Sequence, residues 1–346
     1  MPTQDDITAQ LKLLQTHRQI LQIALFQLAG LSPLYAPPGV IKSVDDARAE
    51  IRQIKQSLRA WGEHVDDHPN DEPPDQAGQP ADPYLQLHDA LLLLDYQTQD
   101  AWFGKYLDSS RIAAFLIHGD SPEYGQRWLL NRLLRQRIST TDKVLRVDLY
   151  RKTRGSDLSS LWREMAQRVG LGSSQPIPAI AERVGGWLKT QSVVLIFDNA
   201  EALLQGGLTT FVEEFWRPLV AIAQAAPAAG PQRLLMFLLD NDGAGAACSA
   251  PLAEIKDPAW QPHQPVKLPA IRRFSTPLLA GWIATVGTRL PQPFPNLLTE
   301  DQDAIDRAAD TIVEQSQQGL PLEAMIAICE QCECHWYEKE AVWLKY

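Results

Sequence analysis

Ile112-Ala-Ala-Phe-Leu-Ile-His118, Gly119-Asp-Ser-Pro-Glu-Tyr-Gly125-Gln126-Arg127 and Trp128-Leu-Leu-Asn-Arg-Leu-Leu134 follow one another without a break, and their reading decides the fold. The first is a short apolar run, as expected of a strand buried on both faces. The second opens on Gly and Pro and reads as a turn. The third is apolar at helical spacing. Strand, glycine-bounded turn and helix are the layout of a phosphate-binding loop, where backbone N–H groups and a helix N-terminus cradle an anion. The chemistry is altered. A working loop has four residues between its glycines, then Lys, then Ser or Thr. Here five residues separate Gly119 from Gly125, Gln126 stands in the Lys place and Arg127 in the Ser/Thr place. The charge for the β- and γ-phosphates is gone, and so is the hydroxyl for Mg²⁺. The stretch predicts a nucleotide-switch fold that has lost its catalytic parts. Its altered loop comprises Gly119, Asp120, Ser121, Gly125, Gln126 and Arg127.

Working outward, further strand runs are Val144–Leu149, Ser192–Phe197, Arg233–Leu239 and Val266–Ile271. Helical stretches at Leu158–Val169, Ala179–Thr190 and Thr209–Ala225 lie between them. This alternation predicts an α/β fold, a parallel five-stranded sheet flanked by helices. The run Val193-Val-Leu-Ile-Phe-Asp198 ends on the acid that would orient Mg²⁺ in a P-loop enzyme. Hydrolytic switches follow it with a second acid, whereas here Asn199 follows, which cannot act as a base. Asp198 and Asn199 therefore read as an altered metal-and-water motif.

On Phe115–Gly119, Gly125–Leu129 and Leu195–Asp198, the core from about Leu91 to Ile271 resembles the STAND class of signalling P-loop NTPases. More narrowly it resembles their inactive, conflict-associated relatives. Residues 1–62, with Tyr35-Ala-Pro-Pro-Gly-Val40, resemble the effector-associated helical adapters of bacterial defence and programmed-death proteins. These resemblances imply a non-enzymatic signalling or scaffold protein whose N-terminal module engages an effector or regulator. They leave residues 272–346 unexplained.

The N-terminal block divides into two amphipathic helices, with stripes Ile7, Leu11, Leu14, Leu21, Leu25, Leu28 and Val44, Ala47, Ile51, Ile54, Leu58, Trp61. Arg18 interrupts the first stripe, and Ser43 is placed to cap the second helix. Leu31–Val40, rich in Pro, predicts a non-helical connection and an antiparallel hairpin. Leu21, Leu25, Ile51, Ile54 and Leu58 are the candidates for a partner-binding face. Self-association of the chain is a further expectation. Residues 63–83 carry Glu63, Asp66, Asp67, Asp71, Glu72, Asp75 and Asp82 with no Lys or Arg, and predict a solvated, disordered linker. The domain plan is thus a 1–62 adapter, a 63–83 linker, an 84–271 core and a helical 272–346 region. In that region, helices are expected from Ser275 to Leu290, from Thr299 to near Gly319, and after Pro321.

The net charge of −10 argues against nucleic acid as a partner, although Arg127–Arg154 is locally basic. That basic stretch keeps a nucleic-acid sensor open as an alternative. An atypical nucleotide-binding ATPase using Arg127 and Asp198 is another. Cys329, Cys332, Cys334 and His335 invite a zinc reading, but the first two continue the apolar stripe of Leu322 and Met325. They read as buried thiols, and no metal is expected. No cofactor is expected either, ATP bound without hydrolysis being the weaker alternative. No apolar run reaches the roughly 18 residues of a membrane span, no signal peptide is evident, and the cysteines form no secreted framework. A cytoplasmic protein with no membrane partner is the expectation.

Overall fold

The computed structural model describes residues 4–29, 38–61, 65, 71, 83–135, 142–150, 158–172, 175–204, 207–225, 232–248, 251–286 and 302–344. Contacts divide the chain into two compact units, Met1–Leu85 and Gln86–Tyr346.

In the first unit, α1 (Gln4–Ala29) and α2 (Pro38–Ala60) form a hairpin. Helix α2 begins at Pro38, before the predicted cap Ser43. Proline suits a first turn because its missing N–H would be unpaired there in any case. The start of the Leu31–Val40 connection lies outside the described residues. Leu14, Leu21 and Ala24 of α1 meet Val44, Ala47, Ile51, Ile54 and Leu58 of α2, with Ile7 and Leu25 packed at the margin. This corrects the partner-face assignment. Leu21, Ile51, Ile54 and Leu58 are buried, and Leu25 is partly so. They are the hairpin's own core, because the two facing stripes satisfy one another. Leu11, expected in the stripe, is 40% exposed.

Of the linker residues that the structure describes, Val65 and Asp71 are buried and Pro83 begins a helix. Val65 joins the hairpin core. Asp71 accepts from Arg18 Nε at 2.9 Å and lies 3.3 Å from Lys55 Nζ. So the expected solvation of 63–83 fails at these two positions, and the polar interruption Arg18 has a fixed partner. Removing one side of a buried ion pair leaves a stranded charge. Asp71→Ala should therefore destabilise the hairpin by about 3 kcal/mol. Amide exchange in α1 and α2 should then speed up by roughly a hundredfold; an unchanged rate would contradict this account of the pair.

The second unit opens with α3 (Pro83–Leu91) and α4 (Gln97–Ser109). Then come β1 (Ile112–His118), α5 (Gln126–Arg135), β2 (Lys143–Asp148), α6 (Ser159–Arg168) and α7 (Ile177–Trp187). Strand β3 (Val193–Asp198) leads to α8 (Glu201–Leu204). Next are α9 (Leu208–Phe211) and α10 (Arg217–Ala225), joined by the π-helical turn Val212–Trp216. They are followed by β4 (Leu234–Asp240), α11 (Ala244–Ala247) and β5 (Val266–Lys267). The five strands form one parallel sheet in the order β2-β3-β4-β1-β5, with helices in the connections between them. Strands β1 and β4 are buried at every residue, which is why both read as continuous apolar runs. Strand β5 is shorter than Val266–Ile271. Pro269 has no N–H to donate, and beyond Lys267 the backbone meets β1 through the isolated bonds Leu268 N to Leu116 O and Ile271 N to His118 O.

A helical region completes this unit: α12 (Thr276–Val286), α13 (Gln302–Gln315), α14 (Pro321–Gln331) and α15 (Trp336–Trp343). The expected extension of α12 through Leu290 lies outside the described residues. Trp282 Nε1 donates to Ala90 O at 2.9 Å, tying α12 to α3. Gly319, at φ +81°, lets Phe274 N reach its carbonyl at 2.7 Å; a Cβ there would come within 2.0 Å of Phe274 O. Among the described residues no helix is long and apolar enough to cross a membrane.

Candidate functional site

Successive strands deliver a titratable side chain to the carboxyl edge of the sheet: His118 from β1, Asp148 from β2, Asp198 from β3 and Asp240 from β4. Asp148 is in register with Asp198, and His118 with Asp240. This edge is where an open parallel sheet presents its chemistry.

The altered loop lies above β1. Pro122–Tyr124 make a 3-10 turn, in which Tyr124 N bonds Ser121 O at 3.2 Å and Gly125 N bonds Pro122 O at 3.1 Å. Two amides that a phosphate nest would use are therefore turned inward. Gly119 packs so closely on Tyr124 that a Cβ would lie 2.6 Å from Tyr124 Cβ. Gly125 adopts φ +75°, the left-handed conformation that lets α5 start at once. Gln126 is buried, and its Nε2 donates to Ser121 O at 3.0 Å and to Asp240 O at 2.9 Å. The residue in the Lys place thus points into the protein and ties the loop to the end of β4. Asp120 is exposed and Ser121 half-buried. Arg127 is exposed at the first turn of α5, 3.8 Å from Glu340 of α15. Burial and nearby Arg146 lower its pKa, opposed by Asp198 and Glu340, so these four charges share one neighbourhood.

Asp198 is where the sequence places the metal acid, but its carboxylate is occupied. Arg146 of β2 grips it with Nε on Oδ2 at 2.5 Å and Nη2 on Oδ1 at 2.9 Å. A bidentate guanidinium of this kind neutralises the charge that would attract Mg²⁺. Asn199, at φ +58°, donates to Asp148 Oδ1 at 2.7 Å and accepts from Asn241 Nδ2 at 3.0 Å. It is a structural bridge between β2, β3 and β4. Sequence reading missed Arg146, Asp148, Asp240 and Asn241 as members of this edge. The one available signal was a charged residue, Arg146, in the middle of an apolar strand.

Glu201, Asp240 and Asp242 place carboxylate oxygens within 4.8 Å of one another, a spacing that a cation could use. Those oxygens already serve the turn after β4. Asp240 accepts from Gly245 N at 2.6 Å and from Asp242 N at 3.3 Å, and Glu201 accepts from Asn241 N at 3.2 Å. Burial raises the Asp240 pKa to about 6 and also raises that of Glu201. Burial lowers the pKa of His118, whose Nε2 lies 2.9 Å from Leu268 O.

The region after β5 covers the back of the loop. Met325 of α14 lies 3.5 Å from where a Cβ on Gly125 would sit. Trp128 packs among His88, Trp336 and Trp343, with ring centroids 5.4–6.4 Å from Trp128. Within the 127–154 stretch, the described cations have partners inside the fold: Arg127 has Glu340, Arg132 has Leu94 O, Arg135 has Asp89, Lys143 has the Trp187 ring and Arg146 has Asp198. Arg137, Arg151, Lys152 and Arg154 lie outside the described residues. Cys329, Cys332 and Cys334 are buried, whereas His335 is exposed. Burial pushes the Cys332 thiol up to about 12 and that of Cys329 still higher, which holds both as protonated apolar side chains.

Residues 91–239 match the inactive STAND family. The core is similar to that family. The match supports a non-catalytic, NTPase-like core, in keeping with the loop geometry. The chain also has looser likenesses to solved structures. One is the Walker-type ATPase paby2304 of Pyrococcus abyssi, at TM-score 0.41 and 13% identity over 68% of this chain and 66% of that one. Others are the Aeropyrum pernix ORC2 protein in its ADPNP–ADP complexes (0.38, 13%, 68% and 62%) and the Aeropyrum pernix ORC1 protein in complex with DNA (0.37, 15%, 70% and 64%). No curated protein matches the chain.

Asp240 makes a testable pH dependence. Its folded-state pKa, about 6, lies above its ordinary 3.8, so the fold favours the neutral acid. The stability this contributes is whole below pH 3.8 and is lost as the pH rises through 6. Between pH 4 and 7, native protein should lose on the order of 2 kcal/mol more than Asp240→Asn, measured by denaturant unfolding. Parallel curves for the two proteins would contradict the assignment.

Proposed function

We propose that this chain is a non-catalytic signalling scaffold of a bacterial defence or programmed-death system, acting in the cytoplasm. Its core serves as a ligand-responsive or purely structural platform, and its N-terminal hairpin engages an effector or regulator. The observation that carries this reading is the double occupation of the nucleotide machinery by the protein itself. The loop amides Tyr124 N and Gly125 N are bonded within the loop's own turn, and Arg146 takes up the Asp198 carboxylate. Catalysis of phosphoryl transfer is mostly positioning and charge stabilisation, and both depend on those groups being open to nucleotide and Mg²⁺. The inactive STAND similarity supports the same reading. The hairpin reading draws on its separation as a compact unit and on the exposed Arg52 and Arg59 along α2, which suit selection of an acidic partner.

The test is phosphate release from ATP and GTP by the full chain with Mg²⁺. The expected rate is background. The repair variant Gln126→Lys with Arg127→Ser should remain at background as well, because the loop is one residue too long and Arg146 still holds Asp198. Turnover that disappears in Asp198→Ala would overturn the proposal.

A further inference from the structure

Among the described residues, five buried side-chain polar atoms have no hydrogen-bond partner in the protein: Tyr96 Oη, Asp100 Oδ1, Gln126 Oε1, Trp128 Nε1 and Arg132 Nε. Such atoms are scarce in folded proteins, because each one left dry costs its full desolvation. Here all five fall in two neighbouring segments. Tyr96 and Asp100 stand one turn apart at the start of α4, where Asp100 N bonds Tyr96 O at 2.9 Å. Gln126, Trp128 and Arg132 belong to α5. Arg132 joins the two segments. Its Nη1 donates to Leu94 O, and its Cζ lies 5.8 Å from the centroid of the Tyr96 ring. Tyr96 Oη reaches on to the head of α5, 3.3 Å from where a Cβ on Gly125 would sit. Burial lowers the Arg132 pKa, and Asp100 and then Tyr96 oppose it most. So a guanidinium, a carboxylate and a phenol share one buried seam behind the loop, and each keeps an unused hydrogen-bonding atom.

The chemistry of these atoms selects the occupant. Arg132 Nε can only donate, Asp100 Oδ1 accepts, and the Tyr96 hydroxyl does either. An anion would meet the Asp100 carboxylate and a cation the Arg132 guanidinium, whereas a neutral group that both donates and accepts can satisfy all three. Water does this, and a buried water ordinarily makes about three bonds. We infer that the seam between the start of α4 and α5 is a bound-water site, in which water bridges the Arg132 guanidinium to the Asp100 carboxylate and the Tyr96 hydroxyl. A water-bridged contact retains most of the enthalpy of a direct one. It also lets both charges be buried without leaving either stranded. The loop is thus held from two sides: Gln126 ties it to the end of β4, and bound water seats the helix that follows it on α4.

Two measurements on the full chain test this. Tyr96→Phe keeps the ring and removes the hydroxyl. If the hydroxyl is bonded to water, the variant loses that bond, and its unfolding constant in denaturant titration should rise about fivefold. If the hydroxyl is buried dry, its removal relieves a desolvation cost and the constant should fall instead. The second measurement is a high-resolution crystal structure of the native chain, which needs no variant to fold. It should show ordered water within about 3.2 Å of Arg132 Nε and of Asp100 Oδ1. An unfolding constant that is unchanged or falls in Tyr96→Phe overturns the site. So does a crystal structure in which those two atoms bond each other directly or face no water. Neither result depends on ATP turnover or on effector capture.

Discussion

The side-chain amide of Gln126 holds the loop shut, and the arrangement of the whole carboxyl edge follows from that. One nitrogen links Ser121, just after β1, to Asp240 at the end of β4. Each such bond is worth only about 1 kcal/mol net, but the one to Asp240 is buried, the one to Ser121 partly so, and both act on backbone. They bring the Pro122–Tyr124 turn down onto Gly119, which has no side chain to resist. A lysine ammonium turned to the same two carbonyls would bury a full charge, at a much greater cost. The substitution that removes the phosphate charge is therefore also the one that lets the loop close on itself.

The same logic recurs at β3. An acid at the end of a buried strand needs a counter-charge, and in a working enzyme Mg²⁺ supplies part of it. Here Arg146, two residues upstream of Asp148 on the adjoining strand, supplies it from within the sheet. Asn199 and Asn241 then tie Asp148 and Asp198 to the turn after β4. Behind the loop, Trp336 and Trp343 pack on Trp128, so residues past β5 brace the loop helix rather than forming a separate body.

The fold was legible because buried parallel strands are apolar at every position: Ile112–His118 is reproduced residue for residue, and the other long strands shift by a single position. Strand β5 was overread because apolar character continues past Pro269, where the sheet cannot. The loss of the loop chemistry was legible from residue types alone, at Gln126, Arg127 and Asn199. What replaced it was not. The Arg146–Asp198 pair joins residues 52 apart, and nothing in either local pattern names the other. The hairpin misled for a different reason. The sequence reading took apolar stripe residues for a partner face, and they proved to be the hairpin's own core.

Everything at the carboxyl edge turns on whether the closed loop refuses nucleotide. The direct measurement is equilibrium titration of the purified full chain with a fluorescent ATP analogue, with and without Mg²⁺. Our proposal predicts no saturable binding in either condition, and no change in Asp198→Ala. Saturable micromolar binding that requires Mg²⁺ and is lost in Asp198→Ala would contradict it, because Arg146 would then have to release the carboxylate to the metal.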